Sequence, residues 1–170
     1  MGAKEQGVSA TSGRWLTVPR TLCFISNGDD VLLMQRAAHR SIFPNRYNGV
    51  GGHIERNEEP LSGIKREIRE ETGLEVRDVR LRAIYHIDAG ETMGIILFIF
   101  TAISDTRLVI ETGDEGILHW VARNRIMDLD LVEDLPQLLP RVFAMGANDP
   151  PFFVHISYDE NDHIQMRFSE

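Results

Sequence analysis

The 170 residues carry 42% hydrophobic and 26% charged side chains, one cysteine and a formal net charge of −8. That length suits one domain of about 100–200 residues, able to bury roughly 70% of its unfolded surface, and the ordinary globular composition excludes a mainly disordered chain. No apolar run approaches the ~18 residues of a membrane helix. The longest, 93–102, is interrupted by Gly94 and Thr101. Excess negative charge opposes a phosphate backbone, so no polynucleotide partner is expected. Cys23 stands alone between Leu22 and Phe24, where it can build neither an internal disulfide nor a multi-cysteine zinc site, and it reads as a reduced core thiol. No hydrophobic signal region opens the sequence, and Gln6 occupies the place where a myristoylation motif wants Ser or Thr; the expected compartment is the cytoplasm.

Residues 1–13, small and polar, read as a disordered N-terminal tail ahead of a single domain over 14–170. Segments 21–25 and 31–34 read as two strands joined by the turn Asn27-Gly28-Asp29-Asp30. An arginine-rich loop follows over 37–47, and 48–52 is glycine-dense, which suits close approach of backbone to another group. Residues 60–72 form a predicted helix, with Pro60 tolerated in its first turn and Gly73 as its stop. Strand-like segments come at 74–87, 92–102 and 116–121, then a second helix at 133–143 carrying Pro136 and Pro140. The chain closes with strands at 152–158 and 163–168 around an acidic turn. There is no internal repeat, and the pattern is mixed α/β.

The predicted helix at 60–72 carries Glu67, Glu70 and Glu71 at i, i+3 and i+4, so their carboxylates fall on one side. Leu61, Ile64 and Ile68 mark the neighbouring face that anchors to a core. Clustered anions repel by about 0.2–0.5 kcal/mol per exposed pair. They also occupy the negative end of the helix dipole, at about 0.3–1 kcal/mol each. A cation should compensate, and hard carboxylate oxygens favour Mg²⁺, with Mn²⁺ as an alternative. Taken alone, the segment also fits a solvated acidic face with Arg66 and Arg69 as local partners.

The wider pattern narrows this. Gly52, five residues, Glu58, seven residues, then Arg66-Glu67-Ile68-Arg69-Glu70-Glu71-Thr72-Gly73-Leu74 resembles the Nudix box at every defined position. The resemblance implies an α/β/α sandwich with a mixed central sheet and a loop–helix–loop metal site. It also implies hydrolysis of a nucleoside diphosphate linked to another group. By the same resemblance Glu67, Glu70 and Glu71 are metal ligands with the Gly51 carbonyl, and Arg66 orients a box glutamate. The general base varies within the family between a box glutamate and a later loop acid. Asp114-Glu115 supplies that acid here, and Glu115 is expected as an additional ligand or base.

Arg46-Tyr47-Asn48-Gly49-Val50-Gly51-Gly52 further resembles the segment before the box in the MutT-like diphosphatases of oxidised purine nucleotides such as 8-oxo-dGTP. That likeness implies a base pocket made by Asn48 and the acid pair Glu133-Asp134, with Arg36 and Arg40 near the phosphates and Ile42, Phe43 or Tyr47 as an apolar wall. An Asn-Gly pair is equally a common turn. The human member of that subgroup carries a stacking Trp two residues before its acid pair, where this chain has Leu131. The expected partner is a small nucleotide, and a homodimer is left open. Two other readings remain beside the hydrolase: a nucleotide sensor, against which the intact box argues, and an isomerase of isopentenyl diphosphate, for which Cys23 is poorly placed.

Overall fold

The computed structural model describes residues 3–7, 13–110 and 114–169. Residues 8–12 of the expected tail, and Thr112-Gly113 beside the candidate acids, lie outside the described residues. Within the tail, Ala3–Gln6 forms one 3-10 turn.

Alternation along the strands builds a mixed sheet. β1 (Leu16–Asn27) turns through Gly28 into β2 (Asp30–Arg36), and β3 (Tyr47–Asn48) returns beside β2. After α1 (Pro60–Thr72) come β4 (Val76–Ile87), β5 (Met93–Ser104) and β6 (Gly116–Ala122). A 3-10 segment at Arg123–Asp128 leads to α2 (Leu135–Ala144), then β7 (Phe152–Tyr158) and β8 (Ile164–Phe168) close the chain. The strand order is β3-β2-β1-β5-β4-β7-β8, with β6 on the other side of β2. β1 runs parallel to β5 and β4 parallel to β7; the remaining pairs are antiparallel.

Neighbouring side chains of one strand point to opposite faces. Leu22 and Phe24 therefore join a core beneath α2, while Cys23 and Ile25 join a second core beneath α1. This is the α/β/α sandwich. Its elements differ from the sequence pattern in three places. β1 begins upstream of the expected strand, because pairing with β5 carries it through Pro19, whose carbonyl accepts from Ile54 N–H at 3.3 Å. Part of the arginine-rich loop is the short strand β3. The second helix begins at Leu135, so Glu133 and Asp134 stand in the turn ahead of it.

Candidate active site

The helix α1 is built to hold its position. Glu59 caps it by accepting from Leu61 and Ser62 N–H at 2.7 and 2.8 Å, and Gly73, at φ 70°, ends it by donating to the Arg69 carbonyl. Ile64 and Ile68 are fully buried, which fixes the rotation of the helix on the sheet; Leu61, expected to anchor with them, sits in the first turn and is exposed. At about 100° per residue, Glu71 lies about 40° to one side of Glu67 and Glu70 about 60° to the other. Glu67 and Glu71 consequently line a cavity, whereas Glu70 is exposed and pairs with Arg66 at 2.9 Å.

The loop ahead of α1 lies along β1. Cys23 N–H donates to the Val50 carbonyl at 2.7 Å, and Thr21 N–H to the Gly52 carbonyl at 2.8 Å. A Cβ on Gly52 would stand 2.5 Å from Glu67 Oε1, so only glycine lets the carboxylate in. Gly51 N–H donates to Glu71 Oε2 at 3.1 Å. Arg66 ties the remainder together. Its guanidinium grips Glu58 at 2.6 and 3.0 Å, reaches Glu67 Oε1 at 3.0 Å and donates to the His53 carbonyl at 3.0 Å.

Glu115 arrives from the far side. Antiparallel pairing of β2 with β6 sets Arg36 against Gly116, and Ala37 N–H donates to the Glu115 carbonyl at 3.0 Å. Burial, with the added pressure of Glu115 and Glu67, pushes the Glu71 carboxyl up to about 9, against the pull of the Gly51 N–H. Burial also raises Glu67, with Arg66 opposing. These oxygen donors want a proton or a hard cation. Among the described residues no three His, Cys, Asp or Glu side chains already close on one point. Arg66 holds Glu67 and Glu70, and the chemistry of the donors fits a divalent ion.

One cavity of about 390 Å³ joins this carboxylate end to the other predicted residues. Arg20, Arg36 and Arg40 line it near Glu71 and Glu115, with Arg40 3.5 Å from Glu115. Burial and Arg40 lower the Arg36 guanidinium, and the two glutamates oppose them. Asn48, Glu133 and Asp134 line the same cavity. Tyr47 N–H donates to the Asp130 carbonyl at 2.8 Å and Val132 N–H to the Tyr47 carbonyl at 3.1 Å, so one short backbone frame fixes all three. Asn48 ends β3 and does not form a turn; its Oδ1 accepts from Gly49 N–H at 2.8 Å, and its amide NH₂ has no hydrogen bond among the described residues. Arg46 pairs with Glu133 at 3.1 Å. Burial and Glu133 push Asp134 up to about 6.

Ile42 and Phe43 do line the cavity, but Tyr47 packs into the core beneath α2 instead. Leu131 is likewise core, 7% exposed and outside the lining. Sequence reasoning missed two features. Arg20, whose buried Nε has no hydrogen-bond partner among the described residues, fell outside the expected strand. The apolar wall of Ile87, Ile95, Leu97, Ile156 and Ile164 comes from four strands distant in sequence, and period-2 alternation was its only signal.

The NUDIX domain family model matches residues 16–142. The chain belongs to the Nudix family of hydrolases, enzymes that generally use a divalent metal. It is 32% identical over 120 residues to the nucleoside triphosphatase NudI of Enterobacter sp. (strain 638), spanning 64% of this chain and 84% of that one. Its fold matches the crystal structure of the mutator MutT protein from Bacillus halodurans at a TM-score of 0.75 and 24% identity, over 89% and 97% of the two chains. It also matches the NUDIX domain of Shewanella oneidensis NrtR, solved with ADP ribose, at a TM-score of 0.66 and 16% identity, over 84% and 97%. No helix among the described residues is long and apolar enough to cross a membrane.

Proposed function

We propose that this chain is a Mg²⁺-dependent nucleoside triphosphate diphosphohydrolase, acting in the cytoplasm on oxidised purine nucleotides such as 8-oxo-dGTP. The observation that carries the reading is that one cavity is lined both by the box carboxylates with Arg20, Arg36 and Arg40 and by the amide–acid set Asn48, Glu133 and Asp134. The likeness to NudI, named a nucleoside triphosphatase, supports the triphosphate, and a family domain holding ADP ribose supports a small nucleotide.

Glu67, Glu70, Glu71 and Glu115, with the Gly51 carbonyl, would hold Mg²⁺, and Mn²⁺ by the same donors; Glu70 exchanges Arg66 for the ion. When bound, such an ion would offset phosphate charge and supply a nucleophilic water at neutral pH. Arg36 and Arg40 face the phosphates and counter charge as it develops. Glu115 takes the proton as the water oxygen bonds to phosphorus, and the bond to the bridging oxygen breaks to release nucleoside monophosphate and pyrophosphate. Arg66 keeps Glu67 in place. Asn48 donates to the purine, Glu133 and Asp134 meet its other edge, and the aliphatic wall packs on the ring face.

The test is product analysis with dGTP, 8-oxo-dGTP, other triphosphates, ADP-ribose and a dinucleoside polyphosphate in Mg²⁺, each repeated with Glu71→Gln. Monophosphate and pyrophosphate, formed fastest from 8-oxo-dGTP and lost in the variant, is the expected result. Equal rates on every triphosphate would remove the oxidised-base assignment. Binding without turnover would replace the hydrolase by a sensor.

A further inference from the structure

Arg20, Arg36 and Arg40 all line the cavity, and two of them have partners within the fold. Arg36 donates from Nε to the Ile42 carbonyl at 2.8 Å, and Arg40 lies 3.5 Å from Glu115. Arg20 differs: its Nε is buried and has no hydrogen-bond partner among the described residues. A guanidinium has donors only and stays charged, so an oxygen acceptor completes it, best an anionic one. The carboxylates nearest the loop are held by other donors. Arg66 reaches Glu67, Gly51 N–H reaches Glu71, and Arg40 faces Glu115.

The backbone under Arg20 is fixed to the loop it faces. Ile54 N–H donates to the Pro19 carbonyl at 3.3 Å and Thr21 N–H to the Gly52 carbonyl at 2.8 Å, so residue 20 is pinned from both sides and bridges to His53. Alternation puts its side chain on the same face as Leu22, and its neighbour across the parallel pair with β5 is Leu97; both leucines line the cavity. Arg36 enters from a different strand. It ends β2, where its N–H donates to the Arg46 carbonyl at 3.0 Å. Arg20 and Arg36 thus reach one cavity from the two strands that border the chain over 46–53. Their like charges repel, and an anion bound by both reverses the sign of that interaction.

We propose that Arg20 is a substrate-binding residue for the phosphate chain: its guanidinium takes a non-bridging phosphate oxygen from the β1 side of the cavity, complementing Arg36 and Arg40. This rests on the nucleotide reading above. Phosphate oxygens are the anionic acceptors of a nucleotide, and they are what this donor lacks within the fold. Because residue 20 is tied to the loop through Gly52, the guanidinium is pre-placed for its ligand rather than ordered by it.

Arg20→Leu and Arg20→Gln remove the charge, the second covering a leucine variant that fails to fold. The measurements are melting temperature, calorimetric binding of pyrophosphate and of deoxyguanosine in Mg²⁺, and steady-state kinetics on dGTP. Arg20→Leu should melt no lower than the parent, since it removes an unsatisfied donor and a like charge. Both variants should bind pyrophosphate at least about tenfold more weakly and raise KM for dGTP by a similar factor. Deoxyguanosine, which has no phosphate, should bind as it does to the parent. Parental pyrophosphate affinity in a folded variant, or an equal loss for deoxyguanosine, overturns the assignment while leaving parental hydrolysis intact. A parent that binds pyrophosphate through Arg20 yet turns over no nucleotide keeps the assignment and replaces the hydrolase by a sensor. A parent that neither binds pyrophosphate nor hydrolyses nucleotides overturns both readings.

Discussion

Gly51 joins the loop to the deepest acid of the site by donating to Glu71 Oε2 at 3.1 Å. It can do so because its φ of 154° lays its Cα against β1, where a Cβ would lie 2.2 Å from the Thr21 carbonyl oxygen. Gly51→Ala should therefore push the loop off β1, costing about 1–3 kcal/mol and more than tenfold in activity. Gly28→Ala is the control: at φ 60°, with nothing within 4 Å of its Cβ, it keeps only the left-handed penalty of about 1–2 kcal/mol and full activity. Equal activity in the two variants would sink the contact argument.

Glu71 gives the metal-free protein a distinctive pH response. Its carboxyl titrates at about 9 in the folded chain against 4.5 ordinarily, so folding favours the protonated form. Stability is then fully present below about pH 4.5 and declines as pH rises toward 9. Urea midpoints of metal-free protein should fall across that window, Glu71→Gln should flatten the slope, and Mg²⁺ should restore the alkaline side by replacing the proton. Activity of Glu71→Gln should drop at least about a hundredfold. An unchanged slope in the variant would remove Glu71 as its cause.

Asn48 combines a local hydrogen bond at the end of β3 with a candidate recognition group, and one substitution separates them. Asn48→Asp keeps an oxygen to accept from Gly49 N–H but loses the NH₂ donor. The melting temperature should hold while KM for a purine triphosphate rises about three- to tenfold, the worth of one hydrogen bond. Parental KM in this variant would leave Asn48 with a structural role only.

Leu131→Trp should destabilise by about 1–3 kcal/mol and add no base stacking, because the side chain enters the core beneath α2. Improved KM for 8-oxo-dGTP at unchanged stability would contradict that placement.

The box residues were legible because their spacing is local: a helix places Ile64, Ile68 and the glutamates by rotation alone, and Gly73 ends it where the sequence predicts. Asn48 with Glu133-Asp134 was legible through resemblance only, since a parallel bridge between Tyr47 and Leu131 brings them together. Arg20 and the aliphatic wall were hidden for a related reason. Each belongs to a strand whose partners lie far along the chain, and strand pairing is not written in local pattern. Glu70 shows the opposite limit: i, i+3, i+4 spacing predicts one shared side, while core anchoring turns Glu70 outward and Glu71 in.

The pairing of β1 with β5 bears on how the protein reaches this state. β1 is clasped on one flank by the loop and β2, and on the other by a strand from the middle of the chain; at its end Asn27 Nδ2 donates to the Ser104 carbonyl, 77 residues away. Contacts of such long sequence separation form slowly, because the intervening chain must lose its freedom before they reward it. During synthesis the glycine loop and α1 emerge well before the strand that completes their platform. The hydrolytic centre is thus late to mature, and a nascent chain stopped before β5 would carry the whole motif without the sheet that supports it.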